Sequence, residues 1–202
     1  MQFEQVPSDL LETLQLNAGV LTTGFTPATG VIGTILGATT GGITFNANPN
    51  YVDFGEDVDN VPANTWQMKR VTHYDPVISG TFVSLSSSAR VKQLVGAATI
   101  DTLDSTHIIP DHALKETDFA DVWWIGDYSD KNKGAATAGY VAIHVKNALN
   151  TIGFQITSTK DGKGQFPFEY HGHYDYEDIE DAPFEVYLKA GTAITQATLE
   201  AT

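Results

Sequence analysis

A two-residue alternation, a knot of carboxylates and a second alternation fill residues 166–189, FPFEYHGHYDYEDIEDAPFEVYLK. This pattern constrains the fold more than any other in the chain. Phe166, Phe168, Tyr170 and Tyr174 share one face of a first strand, and Phe184, Val186 and Leu188 repeat the spacing in a second, as half-buried strands require. The predicted sheet is aromatic on one side and polar on the other. Between the strands Asp175, Glu177, Asp178, Glu180 and Asp181 have no lysine or arginine among them. Such a loop must face solvent, a cation or a partner.

With 202 residues and 42% hydrophobic content, the chain can close one core, so residues 1–202 are read as a single domain. Eleven basic against twenty-five acidic residues give a formal charge of -14, which argues against binding nucleic acid by phosphate neutralisation. Like charge does not prevent nucleic acid from sliding past, and it suppresses sticking. The absence of cysteine excludes disulfides, thiolate metal sites and a cysteine nucleophile. The start, MQFEQVPSDLLETLQL, is acidic where a signal peptide is basic, and no export signal is read in it.

From Thr13 through Val52 no side chain is charged, and the stretch is rich in Gly and Thr. Its apolar runs are too short for a membrane span, which needs roughly 20 mostly apolar residues. The segment is read either as a loop packed on its own domain or, with Phe25, Val31, Ile32, Ile35 and Leu36, as an arm that contacts another subunit, since interface centres are depleted of charge. Ser8 caps a short predicted helix carrying Leu10, Leu11, Leu14 and Leu16. Ile43, Phe45 and Ala47 read as a strand that meets Pro49, and Asp53–Thr65 as an acidic loop. A long strand follows over Met68–Leu85, with a bulge about His73, Asp75 and Pro76. A helix capped by Ser86, Ser87 or Ser88 then turns Val91, Leu94, Val95 and Ala98 to the sheet. Residues 101–121 read as irregular. Val122–Tyr128 and Gly139–Val145 form a hairpin joined by DKNKGAATAG, and Phe154 with Ile156 marks another strand. The fold class is therefore mainly β: a β-sandwich or open barrel of about seven strands, with one flanking helix and long loops.

His171 and His173, with Asp175 and Glu177 close by, are the best metal candidates, although surface histidines explain them as well. Calcium would suit the acidic loop at 175–181, yet the loop lacks the spaced ligands of an EF-hand. No GxSxG, HExxH or GxxxxGK[ST] occurs, so no catalytic residue, cofactor or metal is assigned. Of Trp123 and Trp124, consecutive residues of one strand, one faces the core and the other outward. An exposed ring there, with calcium at the acidic loop, would suit a secreted or surface carbohydrate-binding module, the alternative reading.

Three stretches carry a family resemblance: GGITFNANPNYVDFGEDVDNVP at 41–62, HYDPVISGTFVSLSSSARVKQLVGAA at 73–98 and GHYDYEDIEDAPFEVY at 172–187. In these the chain resembles the major tail tube proteins of long-tailed, non-contractile bacteriophages. The resemblance implies a non-catalytic virion protein, made in the host cytoplasm, whose hexameric rings stack into a tube that conducts DNA. It implies partners in further copies of itself, in a tape-measure protein and in tail-end proteins, with no membrane and only transient passage of DNA. It also implies that the loop after an early strand, here Asp53, Phe54, Glu56, Asp57, Asp59 and Val61, reaches a neighbouring subunit or ring.

Overall fold

The computed structural model describes residues 19–85, 87–127, 139–160 and 162–189. Among them lie strands β1 (Val20–Thr22), β2 (Phe25–Thr26), β3 (Val31–Ile32), β4 (Thr39–Asp53) and β5 (Lys69–Phe82). Helix α1 (Ser88–Val95) follows, then β6 (Ala98–Ile100), β7 (Ile108–Pro110), β8 (Ala120–Asp127), β9 (Tyr140–Asn150), β10 (Phe166–His171) and β11 (Phe184–Lys189). Seven strands form one antiparallel sheet in the order β1-β8-β9-β10-β5-β4, with β11 also paired to β9. The fold is mainly β with a single flanking α-helix among the described residues, in keeping with a β-sandwich or open barrel. The helix predicted from Ser8, and the connection between β8 and β9 from residue 128 to 138, lie outside the described residues.

The sheet bends where β10 changes partners. Along its length β10 pairs with β5, from Phe166 opposite Phe82 to His171 opposite Val77, while its last two residues also pair with Asn150 and Leu149 of β9. Side chains from both halves therefore meet: Ile78, Phe82, Phe168 and Tyr170 from one, Val122, Val145 and Ala148 from the other, with Leu21, Leu36 and Leu94 closing the core. Phe82 and Phe168 lie with ring centroids 4.3 Å apart. Phe166, Phe168 and Tyr170 thus share the face that their spacing predicts, whereas Tyr174 lies beyond the end of β10. Gly80 is required by this packing, since a Cβ there would stand 2.9 Å from both Ile43 Cδ1 and Phe168 Cζ.

Two bulges set the register. Thr40 pairs with Thr81 but Ile43 with Gly80, so Gly41 and Gly42, with φ of 77° and 86°, form an insertion that β-branched neighbours could not make. Further out, Asn50 pairs with His73 and Tyr51 with Val71, which places the extra residue at Thr72, next to the bulge read from sequence. Pro49 does not end its strand. It sits within β4, whose only partner is β5, and an edge strand tolerates a missing donor.

Several expectations change. The second alternation is not buried: Val186 is 56% and Leu188 63% exposed, because β11 pairs only with β9 and the opposite half of the sheet reaches just Phe184, through Phe45 and Tyr74. β10 and β11, the two strands read on either side of the acidic loop, both pair with β9. Phe154 and Ile156 are exposed in a loop held by the single bridge Thr157–Gln165. The segment read as irregular contains β7, which pairs with β6, and Ala98 belongs to β6 rather than to the helix. In α1 the buried residues are Leu94 and, against expectation, Arg90. Ser87 occupies the N-cap without a side-chain capping bond. Buried Asn150 anchors the helix by donating to the Leu94 carbonyl at 2.6 Å and accepting from the Glu169 amide at 2.9 Å.

Candidate assembly surfaces

From Asp75 outward β5 has no strand partner but β4, and the two continue as a ribbon to Asp53 and Lys69. At about 3.3 Å per residue the paired stretch from Asn48 to Asp53 runs for roughly 20 Å. At its end Asp53 ties the loop. Its carboxylate accepts the Gly55 amide at 2.9 Å on one oxygen and the Asn64 amide at 3.1 Å on the other. The Phe54 amide donates to Met68 O at 3.1 Å, and Asn60 and Asn64 take left-handed φ of 63° to turn the chain. The loop is built as a fixed shape.

What the loop presents is mixed. Phe54 is 64% exposed, Val58 is also exposed, and Glu56, Asp57 and Asp59 are in solvent, while Val61 is half-buried. Asp53 is used inside the loop. Trp66, 78% exposed, and Tyr51 add two rings that the sequence reading did not single out. The Tyr51 ring lies under Lys69, whose Nζ is 5.9 Å from its centroid, while Phe54 and Trp66 stand in solvent, where a partner could bury them behind a rim of carboxylates.

The uncharged segment divides. Residues 13–18 lie outside the described residues. Leu36 is 1% exposed in the core, and Phe25 packs edge-on against Trp123 and Tyr140 with centroids 5.7 and 5.0 Å away. Tyr140 donates its hydroxyl to Pro27 O at 2.6 Å, and β1 pairs with β8. Much of the described stretch therefore packs on its own subunit: of the five arm residues Leu36 is buried, Phe25 is half-buried, and Val31, Ile32 and Ile35 are exposed.

The histidines read as metal candidates separate. His171 lies between Asp75, 3.3 Å from Nδ1, and Glu169, 2.8 Å from Nε2. His173 directs Nδ1 to Asn147 O at 3.0 Å and stands edge-on to Phe119. Among the described residues no group of three or more His, Asp or Glu side chains is arranged to hold a metal ion. In the loop at 175–181, Asp175 caps the Glu177 amide and Asp181 pairs with Lys146, so its carboxylates are dispersed. Trp123 is 7% exposed and lies flat on His144, centroids 4.0 Å apart, and Trp124 is partly buried against the core.

His144 occupies the centre of a cross-strand cluster. Its Nε2 lies 3.0 Å from Asp121 of β8 and its Nδ1 3.7 Å from Glu185 of β11, while Lys146 binds Glu185 and Asp181 at 2.7 Å each. The bond to His144 holds the Asp121 carboxyl below its usual range, and Lys146 with the Tyr187 hydroxyl does the same for Glu185. No helix among the described residues is long and apolar enough to cross a membrane. Neither a protein-family model nor a curated protein matches the chain.

Proposed function

We propose that this chain is the subunit of a phage tail tube: a structural, non-catalytic protein that forms stacked rings, the resemblance implying six copies in each. The observation that carries the reading is the ribbon of β4 and β5, which holds Phe54 and Trp66 in solvent at the end of a preorganised loop. A projecting hairpin of this kind suits a contact with a neighbouring subunit or ring. Among the described residues one edge of β4 and one of β11 have no strand partner, which supports the same reading, because closing a sheet across subunits pairs backbone groups at such edges. A head-to-tail interface that does not close on itself extends into a filament. The charge of -14 suits a conduit wall that repels phosphates and lets DNA move.

Negative-stain electron microscopy over a concentration series, with the intact chain beside a variant lacking residues 54–63, tests this. The intact chain is expected to give rings or hollow tubes, and the deletion to give folded, dispersed particles. Tubes of normal length from the deletion, or particles of the intact chain that stay single at every concentration, would overturn it.

A further inference from the structure

Away from the ribbon, a cleft of about 410 Å³ opens between the turn that precedes β8 and the loop that follows β10. Glu116, Phe119, His173, Tyr174, Asp175 and Tyr176 line it, with Asn147 at its floor. Three properties of the lining select a ligand. The walls hold two carboxylates and no lysine or arginine. Among the described residues the Glu116 side chain has no hydrogen-bonding partner, and Asp175 uses one oxygen on the Glu177 amide with no described partner for the other. The adjacent lysines are engaged elsewhere, Lys115 with Asp111 at 2.6 Å and Lys146 with Asp181 and Glu185, so they do not neutralise the cleft.

The rings come from two segments, Phe119 from one and His173, Tyr174 and Tyr176 from the other, and Tyr176 is 94% exposed at the mouth. Phe119 meets the His173 ring edge-on at 79°, which turns ring faces and ring edges in different directions instead of offering one flat platform. Because Asn147 O accepts only, the His173 nitrogen 3.0 Å from it carries the proton, and in the neutral ring the other nitrogen is an acceptor. The Asn147 side-chain amide is occupied with His173 O. The lining therefore combines two carboxylates with π faces, and its tyrosine hydroxyls both donate and accept. An anion is repelled, and a neutral ligand leaves the two carboxylate charges uncompensated. A cation with several N–H groups satisfies the carboxylates and the rings together.

We propose that this cleft receives the guanidinium or ammonium group of a basic side chain presented by a partner protein. The assignment stands on the lining and does not depend on tube formation. NMR titration with acetyl-Gly-Arg-Gly-amide tests it, using acetyl-Gly-citrulline-Gly-amide, a neutral isostere, and glucose at equal ionic strength. The arginine peptide is expected to shift the His173 and Tyr176 ring signals saturably, with a dissociation constant on the order of 1 to 10 mM. Citrulline should bind at least about fivefold more weakly, and the double variant Glu116→Gln with Asp175→Asn should lose the difference. Both replaced side chains are exposed, and an unchanged amide spectrum will show that the variant is folded. Equal shifts by the two peptides, saturation by glucose, or no saturable shift at His173 and Tyr176 would each overturn the proposal.

Discussion

Single side chains in this molecule follow burial closely. Tyr170 is 3% exposed in the core, and burial raises the pKa of its hydroxyl far above the ordinary 10.0 despite the charge of Arg90. A hydroxyl raised in the fold contributes stability that is whole below the unfolded value and is lost as pH rises through and beyond it. The denaturant midpoint should therefore fall above about pH 10, and Tyr170→Phe should flatten that decline. Phe168→Ala removes a ring stacked on Phe82 and should cost about 3–5 kcal/mol, read from the same denaturation curves. Phe168 and Tyr170 were legible because a two-residue period specifies which face they take. Arg90 was not. A charged residue in an amphipathic helix reads as solvent-facing, and nothing local announces that its stem packs inward.

At the scale of elements, the ribbon and the outer cluster behave independently. Phe54 and Trp66 touch little in the isolated subunit, so the double replacement by Ala should move the unfolding free energy by no more than about 0.5 kcal/mol. If both rings are buried at a subunit contact, the same variant should raise the concentration needed for assembly at least tenfold, about 1.4 kcal/mol, measured by sedimentation. The cluster of Asp121, His144, Lys146 and Glu185 joins β8, β9 and β11. Its carboxyls are depressed, so its contribution is present above the ordinary carboxylate range and is lost as pH falls below about 4. Asp121 is about half exposed and solvent screens it, so Asp121→Asn should cost less than about 1 kcal/mol at neutral pH and should soften the acid transition. β4, β5, β8 and β10 were visible in the alternation of their side chains. The exposure of β11 was not, because alternation reports which residues share a face and is silent on whether a second layer covers that face. For the same reason Phe25 and Leu36 read as an outward arm although the strands beneath them use both.

Taken whole, the molecule carries a large excess of one sign of charge, which bears on the assembly proposed for it. Repulsion among subunits at -14 each opposes association, and salt screens it over about 10 Å at 0.1 M. Assembly should therefore be stronger at 0.5 M than at 0.02 M sodium chloride, as followed by light scattering; the opposite trend would show that ion pairs and not apolar contacts hold the tube. The excess of acid was plain in composition. The cleft at His173 was not, since Glu116 and Phe119 come within reach of Tyr176 only through the path of the chain.

The strand order also sets a timetable. Adjacent in sequence, β4 and β5 can zip as soon as both exist, whereas the body is closed by distant pairs, Val20 with Ile125 and Phe82 with Phe166, whose loop closures are slow. β10 and β11 are the last of the described strands to be made, and one edge of β11 has no strand partner among them. The ribbon therefore forms before the body closes.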